Sequence, residues 1–205
     1  MPDRPPDLEA ARQAIASGDP ARAMPALAGL REVAPEAAIP LLLLGLAQTT
    51  FVIRSLACAG LGVKRSEDGW QALGSVLSHD EDANVRAEAA NALASYGVER
   101  AWPLLREAFQ ADDQWLVRCS ILSALAEQPE MPAAWLLELG LLAVKDRDGT
   151  VRAGGAELLG RVVRDAGAAA AAGGSAAAAA RAELRSLLQD GDHRVVAAAL
   201  SGLQG

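Results

Sequence analysis

The residues able to do chemistry in this chain are few and scattered. Two cysteines, Cys58 and Cys119, stand far apart with no second thiol or histidine at ligand spacing, which predicts neither a disulfide framework nor a zinc site. The histidines, His79 and His193, are lone turn residues without an acidic or thiol partner nearby in sequence. Acidic turns of the form Asp80-x-Asp82-x-Asn84 and Asp146-x-Asp148-x-Thr150 have the opening of a calcium loop. That loop requires glycine at its sixth position, where Val85 and Val151 stand, and glutamate at its twelfth, which the first turn fills with Asn91 and the second with Glu157. The aspartates Asp82 and Asp148 are read instead as caps of the helices that follow them. An arginine column, Arg54, Arg86, Arg118 and Arg152, could form a ladder of anion-binding guanidiniums, but it reads more simply as a set of ion pairs to turn aspartates in the same or the adjoining repeat. No nucleophile, base and orienting group can be assembled from this inventory, so the expectation is a protein that is not an enzyme and uses no metal or cofactor.

The elements that position these residues show as a repeat. The arginines follow one another at spacings of 32, 32 and 34 residues, and 44 residues further on Val196 occupies the same register without the charge. Seven residues after each of the five positions stands a leucine: Leu61, Leu93, Leu125, Leu159 and Leu203. Apolar or small residues fall three and four after it, as in Ala57 and Cys58, Ala89 and Ala90, Ile121 and Leu122, Gly155 and Ala156, and Ala199 and Leu200. With the apolar residue just before each arginine these make one buried helical stripe. A second apolar helix precedes each stripe, at residues 39–46, 70–77, 102–109, 135–142 and 184–188. Gly62, Gly97 and Gly160 or Gly167 are placed near the ends of the second helices, where a left-handed closing residue is expected.

The composition agrees with close helix packing. Hydrophobic residues make up 51% of the 205 residues, mostly Ala and Leu, while aromatics reach only 3%. A net charge of -7 argues against a nucleic-acid partner, since affinity for phosphate rests on Lys and Arg. The most apolar run, residues 37–47, contains Pro40 and is too short for a membrane span, and the first residues lack a secretory layout, so the chain reads as cytoplasmic.

The Val-Arg-x-x-Ala-x-x-x-Leu pattern after an acidic turn, clearest from Asp82 to Leu93 and Asp148 to Leu159, resembles the HEAT repeats of the phycobilisome-lyase HEAT-like family. The resemblance implies an all-α, right-handed α-solenoid of about five HEAT-like hairpins over residues 36–205. Residues 1–35 are read as a tail and a degenerate leading hairpin, and residues 166–182 as an Ala/Gly-rich insertion, a loop with Ser175 as the next helix cap. It further implies a protein partner, a phycobiliprotein or another pigment-protein, held by an adaptor or chaperone. The alternative is a subunit of a bilin lyase. In HEAT folds the second helices line the concave surface, which places Leu56, Glu88, Asn91, Ser120, Ser123 and Glu157 on a small, polar, mildly acidic binding face. Trp115, read as lying in the turn before its helix, is the one aromatic expected to be partly exposed there, as interaction hot spots often are.

Overall fold

The computed structural model describes residues 7–168 and 174–204, and every regular element among them is helical. The chain forms two compact units, dividing after Ala111. The first holds α1 (Leu8–Ala16), α2 (Pro20–Gly29), α3 (Pro35–Leu46), α4 (Phe51–Lys64), α5 (Glu67–His79), α6 (Ala83–Ala94) and α7 (Val98–Ala111). The second holds α8 (Trp115–Ala126), α9 (Ala133–Ala143), α10 (Gly149–Ala168), α11 (Gly174–Ser186) and α12 (His193–Gln204). Each unit is a stack of antiparallel helical hairpins, the arrangement of an α-solenoid. No helix among the described residues is long and apolar enough to cross a membrane.

Local chemistry sets where the helices start and stop. The Asp7 side chain accepts the N–H groups of Glu9 and Ala10, Asp19 that of Ala21, Ser66 that of Gly69 and Asp82 that of Asn84. Each satisfies a donor that a helix start leaves orphaned. Pro20 and Pro35 stand in first turns, where a missing N–H costs nothing. The turn after α6 is closed by Gly97 at φ +108°, a conformation that favours glycine. After α4 the left-handed residue is Arg65, φ 51°, and not Gly62. Gly62 and Gly160 lie inside their helices, because they serve close packing rather than chain reversal. A Cβ on Gly62 would come 2.9 Å from the Ala92 Cα of α6, and one on Gly160 would come 2.8 Å from the Gly202 Cα of α12.

The sequence stripes become the cores. Ile53, Ala57, Cys58 and Leu61 of α4 and Val85, Ala89, Ala90 and Leu93 of α6 are fully buried in the first unit. In the second, Val117, Ile121, Leu122 and Leu125 of α8 and Val151, Ala156 and Leu159 of α10 are buried likewise. The stripe weakens in α12, where Val195 and Ala199 are buried but Leu200 is 47% exposed and Leu203 half-buried. Leu200 is therefore not the core residue its column predicts, since no following hairpin covers it among the described residues.

The expected loop at 166–182 is largely helix. Residues 166–168 extend α10 and 174–182 belong to α11, so Ser175 is the second residue of a helix and not its cap; residues 169–173 lie outside the described residues. Alanine has the highest helix propensity, and the tract also presents Ala177, Ala180 and Leu184 as a buried stripe, which together outweigh a glycine cost of about 1 kcal/mol.

The two kinds of helical glycine should respond oppositely to alanine. Gly160→Ala forces Cβ against backbone and should lower unfolding free energy by about 1–3 kcal/mol. Gly167→Ala, with nothing within 4 Å, should raise it by up to about 1 kcal/mol. Urea denaturation followed by circular dichroism measures both.

Candidate functional site

Three of the repeat arginines, Arg54, Arg118 and Arg152, are each held from two sides. Arg54 Nη1 donates to the carbonyls of Gln48 and Thr49 in the turn before its own helix, at 3.1 and 2.7 Å. Its Nε and Nη2 form a fork on the Asp80 carboxylate of the following turn, at 2.8 and 2.9 Å. The second unit repeats this twice. Arg118 reaches the Asp112 carbonyl at 2.9 Å and both Asp146 oxygens at 2.6 and 2.9 Å. Arg152 reaches the Asp146 carbonyl at 3.0 Å and both Asp190 oxygens at 2.9 and 3.0 Å. Arg86 donates to the carbonyls of Asp80 and Glu81 in its own turn, at 2.8 and 3.4 Å. Such bidentate charge-assisted pairs are geometrically exacting.

The two aspartates of each Asp-x-Asp turn have different tasks. The first, Asp80, Asp146 or Asp190, takes the preceding arginine and also accepts the N–H of the second. The second, Asp82, Asp148 or Asp192, accepts the N–H of Asn84, Thr150 or Arg194 and caps the helix. The sequence reading named the second aspartates and missed the first as arginine partners. Both look alike as caps, and only the recurrence of the pair at the repeat spacing separates them. Arg152, donating to Asp190, holds that carboxyl below the ordinary carboxylate range, helped by the Asp192 N–H.

The binding-face residues are distributed unevenly. Leu56 is half-buried in an apolar groove of about 310 Å³ in the first unit, with Leu27, Leu42 and Val63. Glu88, half-buried, and Asn91, exposed, lie on α6 and are not in the lining of that groove. Trp115 is 47% exposed and is the first residue of α8, so it belongs to the helix and not to the turn before it. Ser120 is half-buried on α8. Ser123 and Glu157 do meet, in a cleft of about 410 Å³ between α8 and α10 whose walls include Cys119, Thr150, Gly154, Arg161 and Arg164.

The cleft exists because small residues face each other across the two helices. Cys119, Ala126, Ala153 and Gly154 line it, and a Cβ on Gly154 would reach the Leu122 side chain at 3.0 Å. Arg161 closes one end, donating to the Ala126 carbonyl at 2.5 Å and the Gln128 carbonyl at 2.8 Å, which caps the C-terminus of α8. Ser95 plays the same part in the first unit, with its hydroxyl 2.7 Å from the Gly62 carbonyl. These capping positions were not visible in sequence, because the same register holds Val63, Ser95, Glu127 and Arg161.

Neither thiol is activated. Burial pushes Cys58 up to about 12 and Cys119 up to about 11, away from the thiolate that a nucleophile requires. Among the described residues no group of three or more His, Cys, Asp or Glu side chains is placed to hold a metal ion.

Against this geometry, residues 39–126 match HEAT repeats as a family, in keeping with the stacked hairpins of the fold. A solved structure of human deoxyhypusine hydroxylase in complex with glycerol matches 97% of this chain and 95% of its own, with a TM-score of 0.50 at 15% identity. That likeness is one of fold. Among curated proteins none matches the chain in sequence. The match to HEAT repeats is general and does not single out the phycobilisome-lyase group.

Two measurements test the clamp. Arg118→Met strands Asp146, whose side chain is only 10% exposed, and should cost about 3–5 kcal/mol of unfolding free energy. Arg118→Met combined with Asp146→Asn should cost less than the sum of the two single changes in a double-mutant cycle. Asp190 supplies the pH dependence. Its folded carboxyl lies below the unfolded value near 4, so its contribution is complete above that pH and disappears as pH falls through the folded value. Asp190→Asn should therefore be less stable than the wild type at pH 7, with the gap closing toward pH 2, as read from urea midpoints.

Proposed function

We propose that the chain is a non-catalytic protein-binding scaffold that holds a polypeptide on its second-helix face. The observation that carries this reading is the cleft between α8 and α10, walled by small and polar side chains and open to a chain segment. The arginine column supports it from the other side. Arg54, Arg86, Arg118 and Arg152 donate to turn carbonyls and carboxylates within the fold, so they are not a ladder free to take phosphates. The overall charge of -7 further favours a partner with basic surface.

The narrower reading, an adaptor or chaperone for a phycobiliprotein, rests on the resemblance of the Val-Arg-x-x-Ala-x-x-x-Leu pattern. The α8–α10 cleft has no aromatic side chain in its lining, so it suits the polypeptide of such a partner better than its tetrapyrrole. A bilin lyase subunit would instead need aromatic and basic groups around a pigment.

The test is capture by immobilised protein, with Ser123→Arg placed in the cleft and Gln204→Arg, outside it, as control. A partner kept by the wild type and the control but reduced at least about tenfold by Ser123→Arg is the expected result. Equal retention by all three would overturn the scaffold reading. Added phycobilin should leave its absorbance unchanged, whereas a spectral shift would move the assignment to the lyase subunit.

A further inference from the structure

The α8–α10 cleft carries two opposite charges that the fold does not use. Arg161 is fully engaged, with its guanidinium on the Ala126 and Gln128 carbonyls and its Nε 3.2 Å from Asp165. Arg164, one turn further along α10, is exposed and has no ion-pair or hydrogen-bond partner among the described residues. Glu157 is also exposed and also without such a partner among them. Surface charges are commonly solvated and idle, but these two line one cleft on one helix at a fixed separation.

We propose that this cleft binds an extended peptide segment bearing a basic and an acidic side chain three residues apart. The inference rests on the protein-binding reading and narrows it to a class of partner sequence. Glu157 and Arg164 are seven residues apart, close to two turns, so they project from the same side of α10 about 10.5 Å apart along its axis. A chain extended in the polyproline II form advances about 3.1 Å per residue with three residues per turn, so side chains three residues apart stand about 9 Å apart on the same edge and set one on each charge. A helical ligand, itself about 10 Å across, is broad for a cleft of about 410 Å³. Between the two charges the floor is apolar, formed by Leu122 and Leu158, both nearly fully buried, and opened by Gly154. The residues between the two charged ones are therefore small or aliphatic. The basic one pairs with Glu157 and the acidic one with Arg164.

The test uses the full chain and capped fluorescent hexapeptides of equal composition. One has a Lys-Leu-Ala-Glu core, a second the reverse order, and a third has its two charges adjacent. Fluorescence anisotropy gives affinity, and slowed maleimide labelling of Cys119, which lines the cleft, locates the binding. One of the spaced orders should bind about fivefold more tightly than the adjacent-charge peptide, the scale of one well-placed surface pair. Glu157→Gln and Arg164→Gln should each remove about threefold to fivefold. The double swap Glu157→Arg with Arg164→Glu should invert the preference between the two spaced orders. All of these positions are exposed, and circular dichroism checks that the variants fold. Equal binding of spaced and adjacent peptides, an order preference unmoved by the swap, or no peptide binding at all overturns the proposal. If Ser123→Arg still abolishes capture of a protein partner while no peptide binds, the scaffold reading stands and this one falls.

Discussion

The arginine clamp is the constraint on which each stack depends. One guanidinium closes the turn of its own hairpin through Nη1 and grips the aspartate of the following turn through Nε and Nη2, as Arg54 and Arg152 both do. Hairpin shape and hairpin spacing are thus fixed by the same side chain. Burying an ion pair is costly, and an apolar substitute often packs as well, so net stability alone does not explain the pair. What an apolar substitute lacks is direction. A stripe of alanine and leucine can slide by a turn with little penalty, whereas a fork on two carboxylate oxygens within 3.0 Å is met in one register.

That register is what allows the helices to approach so closely. Gly62 against Ala92 and Gly160 against Gly202 tolerate no added atom, and such contacts form only when facing positions are in step. The same run of small residues has a second consequence between α8 and α10. There Ala126, Ala153 and Gly154 leave space that larger residues would have filled, and the space is lined by polar groups. Close packing and the cleft arise from one compositional choice, visible in a chain that is half hydrophobic yet only 3% aromatic.

How much of this the sequence disclosed follows from the range of each interaction. Stripes recur every turn and arginines every repeat, so helices, hairpins and the arginine column were legible from periodicity. Asp82 as a cap was legible too, since its bond to Asn84 spans two residues. The Arg54–Asp80 pair spans 26 residues and Arg152–Asp190 spans 38, the second lengthened by the alanine tract, so no fixed offset reveals them. The tract itself misled in the opposite direction. Gly173 and Gly174 suggested a loop, while the buried stripe of Ala177, Ala180 and Leu184 decides for helix, and that stripe is hard to see where nearly every residue is alanine. Cleft depth was beyond reach for another reason: it is set by what Ala126, Ala153 and Gly154 fail to fill, and the absence of volume leaves no pattern.

A clamp that engages the repeated charges also decides where recognition can reside. Arg54, Arg118 and Arg152 answer to aspartates within their own stacks, so the residues that define the fold cannot also distinguish one partner from another. In the proposed scaffold, discrimination falls to positions that break the columns. Glu157 stands where the other repeats have Ala59, Asn91, Ser123 and Ser201, and Arg164 follows on a stretch of α10 that the other second helices lack. The extra turns of α10 fall within the last repeat step, which is stretched to 44 residues. Lengthening one helix without disturbing the clamp at its base is a route by which a regular stack acquires a single irregular, charge-bearing cleft.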